Sequence, residues 1–341
     1  MEQSQKQRLS GIELLRIMAM LLIMLGHTHL RLSPMPQLEA IDEYPFCSYL
    51  EVMSSCFATT GVGVFIAISG WFGIRFQVEG VVKYVFQVLF ILWTVYGGAI
   101  MLHVADFNTE GMRISMSFYE GYWFVLGYLG LYLISPILNA FVEHSTKKEF
   151  QIVLLSYYVF QSYYSWLSAW YDYYGGYSII LFGGIYLTAA YLRKYPFEWL
   201  QKYSLILLVV TILVMTTIAY LSLWKFGHAA RQIRDDNPLA ILVSILLLLS
   251  FKKLKFQSKV VNWLAASCFA VYLIHYSPFV YPYIMQFMHS VYMQFDGLLY
   301  MVVLVISLLA IYLACALYDQ MRILVWKAVL LLKKTTKEQV C

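Results

Sequence analysis

The chain has 341 residues, of which 61% are hydrophobic, 18% aromatic and 13% charged, with a formal net charge of +5. A soluble domain is nearer about 45–50% apolar and about 25% charged, so the composition excludes an ordinary soluble globule and indicates a polytopic helical membrane protein. The alternating segments of about ten residues that mark a transmembrane β-barrel are absent, and the positive charge is distributed as membrane topology requires rather than as a nucleic-acid-binding patch.

The first apolar stretch, residues 11–30, reads GIELLRIMAMLLIMLGHTHL. It is long enough to cross a bilayer core, which takes about 20 mostly apolar residues. It carries Glu13, Arg16, His27 and His29, and ionisable groups within a span are costly and point to function. At about 100° per residue, Arg16 and His27 differ by only about 20° around the helix axis and lie roughly 16 Å apart along it. Glu13, Arg16, Met20, Ile23 and His27 then form one stripe. It holds a carboxylate–guanidinium pair near one membrane surface and an imidazole near the other. On a continuous helix His29 points about 200° away from His27. The plainer reading is a satisfied ion pair with an interfacial histidine.

Further apolar stretches fall at 53–74, 81–104, 122–142, 150–168, 177–192, 203–223, 238–251, 262–285 and 298–318, giving about ten spans, with an amphipathic tail continuing the last. In the second, Thr60, Gly61, Gly63, Ser69 and Gly70 permit close helix approach, and Arg75 follows it, read plainly as a snorkelling anchor. In the fourth, Tyr122 and Trp123 suit an aromatic belt, and Pro136 is expected to kink or end the helix. Residues 157–177 hold eight tyrosines with Trp166 and Trp170, either an interfacial belt or a stacking surface for sugar rings. The loop before Pro238 contains Arg231, Arg234, Asp235 and Asp236, a solvated turn or a glycan-facing loop. The ninth stretch contains His275, with Tyr272 three residues earlier on the same face.

Loop charges set the orientation. Of the 24 basic residues, 18 fall in segments that share a side with the N-terminus, five fall on the other side, and Arg16 is intramembrane. The positive-inside rule then places both termini in the cytoplasm. Glu13 and Arg16 lie toward the cytoplasmic surface, and His27 and His29 toward the outer one. No cleavable signal is evident. The five cysteines suggest neither a disulfide framework nor a metal site. Phosphate-loop, metalloprotease and nucleophile-elbow motifs are absent, and so is a strong internal repeat.

These residues resemble the acyltransferase-3 family, bacterial integral-membrane O-acyltransferases of surface polysaccharides. Arg16, then IMAMLLIMLG, then His27 fits the family's Arg-ten residues-His signature. Glu13 stands where the family often has an acid, although the usual Gly before Leu-Arg is Leu14 here. FIAISGW at 65–71, YWFVLGYLGLYLISPILN at 122–139 and AVYLIH at 270–275 are similar to three further family motifs, with Ala270 where Gly is usual. The resemblance runs over about 10–320, with no C-terminal hydrolase-like domain. It implies an all-α, single transmembrane domain over 1–341, with short cytoplasmic tails at 1–9 and 320–341, in the bacterial cytoplasmic (inner) membrane. The implied activity is transfer of a group other than aminoacyl, most often acetyl, from acetyl-CoA to a sugar hydroxyl of a polysaccharide or lipid-linked glycan. Acyl-CoA is a substrate, and no permanently bound cofactor or metal is expected. On this reading His27, Arg16, Glu13 and His275 carry the chemistry, Arg16, Ser69 and Arg75 meet the donor, and Trp123, Tyr272 and Arg231 meet the acceptor. A transporter or flippase of glycan intermediates is the alternative for buried charge in such a bundle.

Overall fold

The computed structural model describes residues 9–33, 35–116, 120–163, 179–229, 233–295 and 297–340. Among these there are helices and turns but no strand. In chain order the helices are α1 Ser10–His27, α2 His29–Leu32, α3 Leu38–Glu43, α4 Pro45–Ala58, α5 Thr60–Phe72, α6 Val78–Met101, α7 Thr109–Met116, α8 Trp123–His144 and α9 Lys147–Gln161. They continue as α10 Ile179–Lys194, α11 Glu198–Lys202, α12 Ser204–Phe226, α13 Pro238–Phe251, α14 Lys259–Ala266, α15 Cys268–His275, α16 Tyr281–Gln294 and α17 Gly297–Val340. Among the described residues, six stretches are long and apolar enough to cross a membrane: Ser10–Leu32, Pro45–Phe72, Val78–Met101, Trp123–His144, Ser204–Phe226 and Gly297–Val329. The chain is therefore an all-α protein with several candidate membrane spans.

The helices form two compact units. One takes the chain up to Gln77 with Trp123–Ala265, and the other takes Val78–Tyr122 with the chain from Ala266 on.

In the first unit α5 is central, packed by α1, α4, α10 and α13. Its small residues make this possible. A Cβ on Gly61 would lie 2.8 Å from the Ala19 carbonyl of α1. One on Gly63 would meet Ser244 of α13, and one on Gly70 would fall on the Tyr186 carbonyl of α10. Helix α13 is apolar all round and buried along most of its length, as expected of a helix surrounded by others. At 14 residues it is about 21 Å long.

One end of this unit gathers many helix termini. The Ser10 hydroxyl donates to Asn262 Oδ1 at 2.9 Å and accepts from the Ser258 N–H at 2.9 Å, tying the start of α1 to α14. Lys194 Nζ donates to the Ser145 carbonyl at 2.9 Å, and Arg193 Nη1 to the Trp71 carbonyl at 2.7 Å. Ser250 donates to Ser204 at 3.1 Å. Lys252 Nζ stands 4.2 Å above the Trp71 ring. The starts of α1, α12 and α14 and the ends of α5, α8, α10 and α13 therefore share this end. Helix α9 starts with a capping box between Thr146 and Glu149.

In the second unit α6 packs against α7, α15 and α17. Tyr84 stacks on Phe269 with ring centroids 5.0 Å apart, and Phe86 meets Trp326 at 4.8 Å.

Several local expectations are corrected. Helix α8 does not end at Pro136 but continues through it to His144. The stretch 262–285 is broken into α14, α15 and the start of α16. Ser267 sits at φ −100°, ψ 3°, and Ser277 precedes Pro278, a dipeptide that disfavours continued helix. Tyr122 is buried rather than at an interface, and its hydroxyl donates to the Leu273 carbonyl at 2.8 Å. Arg322, one of the 18 basic residues counted on the cytoplasmic side, is buried, its Nη2 2.8 Å from Asp319 Oδ2.

Candidate functional site

Helix α1 places the first group of candidates. Arg16 Nη1 donates to Glu13 Oε1 at 3.0 Å and to Oε2 at 3.1 Å. The Glu13 side chain is 7% exposed and that of Arg16 is 36% exposed. An i,i+3 spacing makes the two side chains neighbours. The carboxylate thus sits in the packed interior and holds the guanidinium, which keeps partial access. Met20 is buried on the same face, and His27, half-buried, is the last residue of the helix.

The helix stops there, at Thr28. Its backbone lies at φ −116°, ψ −86°, and its hydroxyl donates to the Met24 carbonyl at 2.8 Å, the local side-chain bond with which threonine competes for the backbone. His29 therefore starts a new helix, α2, and is buried. Its direction does not follow from the period of α1, so the 200° separation expected for a continuous helix does not apply.

A second group lies where α5, α8 and α10 meet. Ser69 donates to the Phe65 carbonyl at 3.0 Å and lies 3.2 Å from the Tyr128 hydroxyl. Phe124 stacks on Tyr128 at 5.6 Å, and Trp123 packs edge-on against Phe124 at 6.0 Å. Ser69 and Trp123, assigned on sequence to donor and acceptor, thus belong to one aromatic layer. Arg75 follows α5 in a turn and is exposed.

His275 and Tyr272 belong to the second unit. His275 is fully buried, with Nδ1 2.7 Å from the Val271 carbonyl. A carbonyl only accepts, so Nδ1 carries a proton and Nε2 is the basic nitrogen when the ring is neutral. Tyr272 packs edge-on against His275 at 6.2 Å and against Tyr122 at 5.9 Å. Arg231 lies outside the described residues, as do Trp166 and Trp170. Beside it Arg234 donates to both oxygens of buried Asp236, at 3.0 and 2.7 Å. Burial pushes the neighbouring Asp235 carboxyl up to about 7, with the Asp236 charge adding to the rise and Arg234 opposing it. Among the described residues no cluster of His, Cys, Asp or Glu could hold a metal ion.

Three side chains that sequence reasoning passed over hold the turn after α5: Asn139, Tyr186 and Arg193. Asn139 and Tyr186 carry a faint signal, as hydrogen-bonding groups inside otherwise apolar helices.

The fold and these groups define a multi-helical membrane protein with a partly buried charged pair and an imidazole on its first helix. The acyltransferase-3 family profile, described as an acyltransferase domain, matches residues 9–318, and the chain belongs to that family. No curated protein and no solved structure matches it.

Proposed function

We propose that the chain is a multi-pass O-acyltransferase that moves acetyl from acetyl-CoA to a sugar hydroxyl of a surface polysaccharide or lipid-linked glycan. The observation that carries this reading is α1, where Arg16, fixed by Glu13, lies in the first half of the helix and His27 ends it. The family assignment favours acyl transfer over transport.

The chemistry asks for a base and for stabilised charge. A sugar hydroxyl is a weak nucleophile near neutral pH, and a positioned base contributes about 10²–10⁴-fold. Histidine, with an ordinary pKa of about 6.5, suits that role. His27 takes the hydroxyl proton as the oxygen attacks the thioester carbonyl. The carbon–sulfur bond breaks, and coenzyme A leaves as a thiolate that is then protonated. In the two-step variant His27 first carries the acetyl group on its ring. Arg16, with Ser69 and Arg75, holds the donor, while Trp123, Tyr272 and Arg231 meet the acceptor, and His275 serves as a second imidazole. About ten spans, with both termini cytoplasmic and the protein in the bacterial inner membrane, complete the reading. It is supported by the exposed apolar faces of α9 (Leu155, Val159), α12 (Leu205, Ile206) and α17 (Leu298, Ile306), which suit lipid contact. A single α-helical domain then spans donor and acceptor sides.

The test is purified protein with radiolabelled acetyl-CoA and a glycan acceptor. Acetyl ester formation is expected, and a label trapped on His27 without acceptor marks the two-step route. A protein that transfers no acetyl group under these conditions contradicts the reading.

A further inference from the structure

Helix α15 of the second unit is eight residues long and is broken off at both ends. So short a helix has little stability of its own, and its place is set by what its side chains and end groups meet. At its start the Cys268 sulfur lies 3.1 Å from the Tyr312 hydroxyl of α17. Next to it Phe269 stacks on Tyr84 of α6. Its last residue is the fully buried His275.

The backbone of that last turn needs an outside donor. Pro278 has no N–H to give. The Ser277 N–H turns to the Ile274 carbonyl at 3.1 Å and not to the Leu273 carbonyl four residues back. Leu273 is buried, and a buried carbonyl without a partner is costly. Its donor is a side chain 151 positions away in sequence, the buried Tyr122, whose hydroxyl reaches it at 2.8 Å.

The ring of Tyr122 acts on the same turn. It stands edge-on to Tyr272 at 5.9 Å and to Tyr276 at 6.4 Å. The centroids of those two rings each lie 6.2 Å from that of His275. Both aromatic neighbours of the imidazole are thus braced by Tyr122. Apolar contacts alone leave a short helix free to turn about its axis, whereas a hydrogen bond is directional. This bond fixes the turn in which His275 Nδ1 meets the Val271 carbonyl at 2.7 Å.

We propose that Tyr122 is a positioning residue for His275, acting through α15 and not on a substrate. It closes the Leu273 carbonyl and braces Tyr272 and Tyr276, and so holds the imidazole with its hydrogen on Nδ1 and its basic Nε2 in one direction. Without the hydroxyl, the last turn has to shift to bring the Leu273 carbonyl another donor, and the imidazole moves with it. The consequence for catalysis rests on the reading of His275 as a second imidazole in acetyl transfer.

Tyr122→Phe keeps the ring and its edge contacts and removes only the hydroxyl. The full chain is purified in a neutral detergent with isotopically labelled histidine ring nitrogens, and the His275 signals are identified by their loss in His275→Gln. The wild type is expected to carry hydrogen on His275 Nδ1 alone. In Tyr122→Phe the two tautomers should mix, and kcat for acetyl transfer should fall roughly tenfold to a hundredfold, while KM for acetyl-CoA stays near wild type. Tyr312→Phe, which removes the tie at the opposite end of α15, should leave the His275 signals unchanged. A wild-type His275 spectrum in Tyr122→Phe, whatever its melting temperature, makes Tyr122 a packing residue and overturns the proposal. A mixed spectrum with unchanged kcat overturns it too, as does an equal change in Tyr312→Phe. A mixed spectrum confined to Tyr122→Phe, in a protein that transfers no acetyl group, would leave the positioning intact and remove the functional reading instead.

Discussion

At the scale of single residues, the Glu13–Arg16 pair separates a packing role from a binding role. It is neither an exposed pair, worth little, nor a dry one, costly to break. Arg16→Ala strands a buried carboxylate, so the melting temperature in detergent should fall by several degrees. Combining it with Glu13→Gln removes the stranded charge and should restore most of that loss. Acetyl-CoA affinity should stay weak in the double variant, and its recovery would make Arg16 a packing partner only. Asp235 offers a test through pH. Its carboxyl is raised from 3.8 to about 7, so the stability it contributes is full below the lower value and is lost as pH rises through the upper one. Asp235→Asn should therefore melt with a shallower pH dependence over that window and at a higher temperature than the wild type at its alkaline end. Equal slopes would contradict the raised carboxyl at Asp235. The Glu13–Arg16 pair was legible because both partners lie on one turn of one helix. The hydrogen bonds of Ile74 to Asn139 and Tyr186 were not, since these partners stand 65 and 112 positions away in sequence. The break at Thr28 was missed as well, because apolar periodicity reads straight through it.

At the scale of elements, close packing on α5 is the feature most open to mutation. Gly70→Ala sets a methyl group on the Tyr186 carbonyl, and neither backbone can yield without separating α5 from α10. That variant should lose most of its folded yield, because overpacking of this kind costs about 1–3 kcal/mol or more. Gly183→Ala, on α10 with open space around its new methyl, should be neutral or stabilising by up to about 1 kcal/mol, from helix propensity alone. Equal yields for the two, measured by fluorescence size-exclusion chromatography, would contradict the packing described here. The small residues of α5 announced this contact in the sequence, whereas 238–251 was read only as one more span and its burial among other helices was not legible. The division of 262–285 was not, because hydropathy averages over Ser267 and the Ser277–Pro278 turn.

For the whole molecule, composition and motif order made the class and the family legible. The two units were not, since a list of spans does not say which neighbours each span chooses. Arg322 marks the limit of charge counting: it is one of the 18 basic residues counted on the cytoplasmic side, and it is buried with Asp319. The proposed orientation can be checked in a cysteine-free background. Cysteines placed at Asn108 or His228 should react with an impermeant thiol reagent in intact cells, and cysteines at Lys148 or Lys255 should not; the reverse pattern would invert the sidedness of the mechanism. The central claim is that His27 performs chemistry at the end of the helix whose first half holds Arg16. It is tested most directly by the base-labile ester content of surface glycan in cells carrying His27→Gln at wild-type protein level. Glutamine keeps polarity and hydrogen bonding but cannot take up a proton near neutral pH. The account predicts glycan in normal amount with its acetyl esters lost, while acetyl-CoA binding by the purified variant stays close to wild type. Near-normal acetylation with glutamine at position 27 would contradict it.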